Sequence, residues 1–459
     1  MTSAASTENS QHGEIQRRYR ESTPMKLRET LTLTLTLTVP LLTTSASNAA
    51  DLSEIYQIAV ASDSVIQATQ AQFDAAIEAL PLAQSALRPS VALIADAAIN
   101  ETNNDGTGIF DSDSYGASIT QNLYNSAAWQ TAKKAKLTVS QAEATLLEAQ
   151  QNLMFRTAQA YFNILTAQEA FRAASSSREA IARQTEQAER RFEVGLTAVT
   201  DVKEAQAQLD LAVAREVVAE NQLALAKDAL RVIINQDVPD LSELKADAEL
   251  THPDPTSIQE WIAIAEQNSP RLRIADFEQA LAEKDIKIEH AGRKPIVALN
   301  GAYTNSTTES VTGRDVESGQ LRLQLNYPLY TGGRVSASLR QARARARQAA
   351  FNRETVRRAV EQETRDAYLS VIADVSQANA LSQALSSTEV AKEATQAGFD
   401  AGTRTAVEVL VSLQETFNAR ADHAAARHQY VVQSLQLRLA AGILAEKHIT
   451  AINRSLAPQ

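Results

Sequence analysis

The chain has 459 residues, a net charge of −11, only 5% aromatic residues and 14 glycines, while Ala, Gln, Glu, Leu and Arg dominate long stretches. That is the make-up of extended, close-packed helices rather than of a mixed globular domain. Cysteine is absent, which excludes disulfides, thiolate metal sites, cysteine nucleophiles and a lipidated N-terminal cysteine, and the acid excess argues against a nucleic-acid partner.

Residues 1–49 read as an N-terminal extension and signal segment. Met25, Lys26 and Arg28 precede a Thr-interleaved apolar run at 31–42, and small residues including Ser47 and Ala49 follow. A basic start, an apolar core and a small-residue site form a secretory pattern with expected cleavage after Ala49. The run is too short for a spanning helix. Such a pattern opens a chain, so Met25 is the expected start, with the polar residues 1–24 ahead of it.

Helical periodicity then covers 51–87, where Pro81 should kink or break the helix. It gives way to strict alternation, the mark of a strand: Val91, Leu93, Ala95, Ala97 and Ile99 share one face. Beyond a polar loop at 101–113, Tyr115, Ala117, Ile119 and Leu123 alternate with Gly116, Ser118, Thr120 and Asn122. A helical pattern free of Pro and Gly runs from 125 to 192, about 100 Å at 1.5 Å per residue. A glycine turn follows, then a helix of half that length at 199–234.

The same order returns in the second half. Arg88-Pro89-Ser90-Val91-Ala92-Leu93 recurs as Lys294-Pro295-Ile296-Val297-Ala298-Leu299, Asn122-Leu123-Tyr124 matches Pro328-Leu329-Tyr330, and Phe192-Glu193-Val194-Gly195 recurs as Phe399-Asp400-Ala401-Gly402. The second set comprises a helix at 257–291 interrupted by Pro270, a strand along Val297, Leu299 and Tyr303, and a strand along Leu321, Leu323, Leu325, Tyr327 and Leu329. A polar loop at 305–317 joins these strands. A long helix at 331–399 and a short one at 406–442 complete the set. The expected organisation is therefore 1–49 extension and signal, 50–235 first repeat, 236–256 an Asp- and Pro-rich equatorial linker, 257–443 second repeat and 444–459 a C-terminal tail.

Alternation alone fits a soluble sheet with one buried face as well as a membrane sheet. Runs of about ten residues suit oblique passage through a bilayer, and polar loops join each pair. Four strands cannot close, and an open edge in hydrocarbon strands unpaired backbone groups, so copies must assemble around a common axis. Two copies give an eight-stranded barrel filled by side chains; three give twelve strands and a lumen. The fold class expected is mainly α with a transmembrane β part, each long helix turning at its far end and returning half-way as a coiled coil.

The two turns, Phe192-Glu193-Val194-Gly195-Leu196-Thr197-Ala198-Val199-Thr200-Asp201-Val202 and Ala401-Gly402-Thr403-Arg404-Thr405-Ala406-Val407-Glu408-Val409-Leu410, together with Tyr327-Pro328-Leu329-Tyr330-Thr331-Gly332-Gly333, carry a resemblance to the TolC family of outer-membrane factors that extends over the mature chain. The resemblance implies a homotrimer with a twelve-stranded barrel, four strands per chain, continued by an antiparallel α-helical barrel with a coiled-coil periplasmic tip. It also implies an exit duct for efflux or type I secretion, working through a periplasmic adaptor with an inner-membrane ABC or proton-driven transporter, in the outer membrane of a Gram-negative cell. In that family the far turns close the entrance. Arg404 falls on the family's arginine and Asp201 on an aspartate of the neighbouring coiled coil, implying a charge-assisted bond that holds the gate shut. Glu408 falls on a carboxylate presented as a ring around the pore. Phe399 stands where a gate tyrosine is usual and Val411 where a second carboxylate can occur, which implies a gate with fewer polar links and one acidic ring. Arg404 and Asp201 also fit ordinary helix-terminus charges, with Asp201 in a favourable first turn.

Other clusters carry less. Arg340, Arg343, Arg345, Arg347, Arg353, Arg357 and Arg358 read as a solvated helix face. His423 and His428 are five apart, off the spacing that aims two ligands from one face, and read as surface residues. No phosphate loop, nucleophile elbow or acid–base pair is present, so no catalytic residue, cofactor or metal is expected. Two rival readings are a non-conducting outer-membrane anchor, which needs the strands but no pore, and a periplasmic coiled-coil adaptor, which needs the helices but no strands. The polar residues expected to line the pore carry no code for a cargo.

Overall fold

The computed structural model describes residues 49–102, 108–195, 197–309 and 315–457. The signal segment, apart from Ala49, lies outside the described residues, as do the middles of both inter-strand loops.

Asp51 starts the first helix, α1 (Leu52–Ser62), by a reciprocal cap: its carboxylate accepts from the Glu54 N–H at 2.8 Å and Glu54 accepts from the Asp51 N–H at 3.2 Å. The single helical stretch expected at 51–87 is in fact three helices. Asp63 ends α1 in an extended conformation and caps α2 (Ser64–Ile77) by accepting from the Ile66 N–H at 2.9 Å. The short carboxylate competes with the helical ladder for that N–H and wins because it is buried and anchored to Arg156 at 3.1 Å. The third piece, α3 (Ala79–Ser85), begins after Glu78. Pro81 falls in its first turn, where a missing N–H breaks no bond.

Strands β1 (Ser90–Thr102) and β2 (Gly108–Asn125) form an antiparallel hairpin. Asn125 then accepts from the Ala128 N–H at 3.0 Å and opens α4 (Ser126–Glu193), 68 residues with no break. Its partner α5 (Val199–Ile234) ends on Asn235 in the left-handed region, φ 51°. After the short β3 (Glu243–Leu244) come α6 (Ile258–Asn268) and α7 (Pro270–Ala291), with Pro270 at the first helical position, where proline is favoured.

Strands β4 (Ile296–Thr308) and β5 (Val316–Asn326) form the second hairpin. The alternation expected to reach Leu329 stops at Asn326. Pro328 has no N–H to give a ladder, and Gly332 and Gly333 take positive φ to turn the chain into α8 (Arg334–Asp400). The last elements are α9 (Ala406–Ala440), α10 (Glu446–Asn453) and β6 (Leu456–Ala457). Among the described residues no helix is long and apolar enough to cross a membrane.

The large sheet has the order β1-β2-β4-β5, antiparallel throughout, with β1 and β5 at its edges. Register joins Val91, Ile119, Gly301 and Leu321 in one row and Leu93, Ala117, Tyr303 and Gly319 in another, so the apolar residues share a face. The adjoining row, Ser90, Thr120, Asn300 and Arg322, belongs to the opposite, polar face. Ser90 pairs with Thr120 and Ile296 with Asn326, so the second hairpin keeps the register of the first at an offset of 206 (296 − 90 and 326 − 120).

Helix packing follows the strand order: α4 lies against α2 and α3 on one side and α7 on the other, and α7 against α8. The main core forms part-way along the long helices, around Leu52, Ile55, Leu153, Tyr161, Phe162, Leu230 and Leu435. There the linker and the tail meet: β3 pairs with β6, and the Tyr161 hydroxyl donates to the carbonyls of Ser242 at 2.7 Å and Ala50 at 3.2 Å. His428 is not a surface residue. It is only 6% exposed, with Nδ1 2.9 Å from the Thr166 hydroxyl and its ring against Phe162. Five residues turn a helix by roughly 140°, which leaves His423 half-exposed while His428 points into the core.

Candidate functional site

The two glycine turns at the ends of the long helices lie where the candidate gate residues gather. In the first, the Gly195 N–H bonds to the Phe192 carbonyl at 2.9 Å with φ 72°, a conformation that favours glycine. Thr197 donates its hydroxyl to the Asp201 carboxylate, which stands in the first turn of α5. In the second, Gly402 takes φ 75° and the N–H groups of Thr403 and Arg404 both reach the Gly398 carbonyl, at 2.8 and 3.2 Å. A Cβ on Gly398 would come within 2.7 Å of the Arg404 side chain, so the glycine gives that side chain its bed.

Thr405 and Glu408 then cap α9 reciprocally. Glu408 Oε2 accepts from the Thr405 N–H at 2.7 Å, while Thr405 Oγ1 accepts from the Glu408 N–H at 3.3 Å. Glu408 Oε1 accepts from Arg404 Nη1 at 2.6 Å. The Thr405 N–H first, and then Arg404, hold the Glu408 carboxyl below the ordinary carboxylate range.

The structure thus brings Arg404 and Glu408 together. Within the chain it joins Asp201 to Thr197 and does not bring Arg404 onto Asp201. Phe399, without a hydroxyl, makes a different link: the Arg191 guanidinium lies 4.7 Å from its ring centroid, a cation–π contact from the end of α4 to the end of α8. Sequence reading missed Arg191, because nothing along the chain pairs it with a residue 208 positions away (399 − 191). Val411 is 44% exposed.

Behind the turns the two hairpins share a small core. Leu410 of α9 is 1% exposed and packs with Ile181, Ala188, Ala205 and Ala212 of α4 and α5. Gln414 Oε1 accepts from Ser177 at 3.0 Å and from Arg215 at 2.8 Å, tying α9 to both helices of the first hairpin. Alanines at these contacts let the helices approach closely. The tips are therefore held in their relative positions by a few apolar contacts and a handful of polar links.

Of the arginine run on α8, Arg340, Arg343, Arg345 and Arg347 are exposed, whereas Arg353 pairs with Asp276 and Arg357 with Glu266 at 3.2 Å and Glu354 at 2.9 Å. Four of the seven arginines are solvated, and three, including Arg358 with Glu354 at 2.7 Å, are ion-paired. Among the described residues, no group of three or more His, Asp or Glu is arranged to hold a metal ion.

The sequence matches the family described as "Outer membrane efflux protein" over residues 55–236 and 261–443. It is 34% identical over 420 residues to the outer membrane protein TolC of Vibrio cholerae serotype O1, covering 90% of this chain and 95% of that protein. It is 26% identical over 423 residues to the proteases secretion protein PrtF of Dickeya chrysanthemi, covering 88% and 91%. The Campylobacter jejuni CmeC outer membrane channel superposes with a TM-score of 0.78 at 15% identity, over 95% of this chain and 98% of that one, a likeness of fold.

Proposed function

The chain belongs to the outer membrane efflux protein family, and from that premise we propose that three copies close a twelve-stranded barrel over a helical tunnel whose far end is gated by the glycine turns. The protein is an outer-membrane efflux or secretion channel, and its relatives are channel and secretion proteins rather than enzymes. Neither the anchor nor the adaptor is favoured by this family membership. One observation carries the trimer: a four-stranded sheet with one apolar and one polar face ends in two strands, β1 and β5, with no outer neighbour among the described residues. In a bilayer such edges require partners, and twelve strands enclose a water-filled lumen where eight would be filled by side chains.

In this reading the apolar rows face lipid of the outer membrane and the polar rows face water, while the long helices extend into the periplasm. The 206-residue offset between the hairpin registers supports two copies of one unit, with 236–256 as equatorial linker. Asp201, Phe399 and Arg404 form the gate: Arg404 of one copy exchanges its bond to Glu408 for one to Asp201 of the next, and Glu408 contributes to an acidic ring. A passive conduit of this kind works with a periplasmic adaptor and an inner-membrane ABC or proton-driven transporter. The test is twofold. The mass of the detergent-solubilised protein should correspond to three chains, and the protein should conduct ions in planar bilayers; a single-chain mass or a silent bilayer overturns the reading.

A further inference from the structure

Both edge strands carry one charge on the polar face of the sheet: Asp96 on β1 and Arg322 on β5. Among the described strand residues these are the only charges on that face, since Glu101, Asp111, Asp113 and Glu317 stand in the rows of the apolar face. Both are exposed. Arg322 donates only to Gln320, at 3.1 Å, and neither residue has an ion-pair partner among the described residues of its own chain. A lone carboxylate at one edge and a lone guanidinium at the other, on one face, is charge complementarity between the two ends of the sheet.

The internal register states how those ends would meet. Ser118 of β2 pairs with Ala302 of β4. Adding the 206-residue offset carries Ser118 to Gln324 on β5, and subtracting it carries Ala302 to Asp96 on β1. Gly116 and Thr304, also paired, go to Arg322 and Ala98. Directions agree, because the order β1-β2-β4-β5 alternates throughout and leaves β5 antiparallel to the β1 of a following copy. Gln324 then stands opposite Asp96 of the next copy, and Arg322 is its diagonal neighbour on the same face, roughly 7 Å away between backbones and within reach of an arginine.

The helices below repeat the argument. Lys134 of α4 and Asp285 of α7 form an ion pair at 2.6 Å. The same offset carries Lys134 to Arg340 and Asp285 to Ala79, one residue from Glu78. Arg340 and Glu78 are both exposed and without an ion pair among the described residues.

We propose that copies of this chain join through an ion pair between Arg322 of one and Asp96 of the next on the polar face of the sheet, with Arg340 and Glu78 extending the seam along the helices. This rests on the oligomeric reading above and gives it a register. The pair also cancels the two strand charges on the polar face, so the strands leave that face without net fixed charge.

The chain has no cysteine, so paired cysteines report cleanly. In protein solubilised intact from the membrane, Asp96→Cys with Gln324→Cys should give covalent oligomers on mild oxidation, reversed by reductant, whereas Asp96→Cys with Arg322→Cys or with Asn326→Cys should give little. Preferential cross-linking of either shifted pair overturns the register. Absence of cross-linking by all three pairs, with a three-chain mass retained, overturns the seam alone, and a single-chain mass overturns the oligomer with it. In parallel, Asp96→Arg and Arg322→Asp should each lower the temperature at which the oligomer dissociates in SDS, and the double exchange should recover most of the loss. Additive losses in the double variant would remove the ion pair from the seam.

Discussion

Arg404 Nη1 lies 2.6 Å from Glu408 Oε1, one helical turn away, while the other oxygen of the same carboxylate closes the cap on Thr405. One side chain thus starts α9 and holds the arginine assigned to the gate. Arg404→Glu places two carboxylates one turn apart, where like charges repel, and removes the donor that the proposed gate assigns to Asp201 of the next copy. Single-channel conductance in planar bilayers should rise. An unchanged conductance would remove Arg404 from the gate.

The lowered Glu408 value gives a signed pH prediction. A carboxylate held below its ordinary range contributes fully above that range and loses the contribution as pH falls through the lowered value. Cation selectivity, read as the reversal potential under a salt gradient, should therefore persist as pH drops through the usual glutamate range of about 4.3 and fade only below it. Glu408→Gln should weaken the selectivity at neutral pH and change nothing below the lowered value, where Glu408 is itself uncharged.

The stacking of Arg191 on Phe399 should be measurable as coupling. Arg191→Ala and Phe399→Leu, singly and together, form a double-mutant cycle whose interaction term should be about 0.5–1 kcal/mol, as for exposed cation–π pairs. Amide exchange around Gly402 reports the opening of the tip. A term indistinguishable from zero would make the contact incidental. Phe399→Tyr, which supplies a hydroxyl to the gate, should lower conductance.

Burial, reinforced by the nearby Arg427, pushes the His428 imidazole down to about 4. Because the folded value is depressed, stability is fully present above the unfolded value near 6.5 and is lost as pH falls towards 4, by about 3 kcal/mol over the whole window. Denaturant midpoints at neutral and mildly acid pH should diverge accordingly, and His428→Gln should flatten that divergence.

Tyr161→Phe removes the one hydroxyl that donates to the Ser242 and Ala50 carbonyls. The Ala50 carbonyl keeps the Ser242 N–H at 3.1 Å, so the loss falls on the Ser242 carbonyl, and leaving one buried acceptor without this donor costs about 1–3 kcal/mol. A lower urea midpoint with unaltered conductance is expected, since the residue ties linker and N-terminal segment to the core and touches neither turn nor sheet.

Long elements were legible because their signals repeat. The span of α4 and the alternation of β1, β2 and β5 are written in dozens of residues, and the boundaries at Asn125 and Val199 coincide with a cap and a turn that local chemistry dictates. The break at Asp63 was not legible, since its force comes from Arg156, far along the chain. The same holds for His428, whose burial depends on which face α9 turns to α4. At the tips the sequence and the resemblance singled out Arg404 and Glu408, but not that the two bind each other or that Arg191 covers Phe399. Contacts between distant segments are a property of packing, and no local pattern encodes them.

The two bare edges of the sheet also constrain how the protein is made. Each edge of a solitary copy exposes a row of N–H and C=O groups that hydrocarbon cannot satisfy, at several kcal/mol per group. A lone copy therefore has no low-energy route into the bilayer. If copies close a barrel through these edges, as proposed, recruitment of partners precedes or accompanies insertion and biogenesis is cooperative in copy number: an edge-damaged subunit co-produced with intact ones should halt its partners at the membrane surface and act as a dominant poison of assembly.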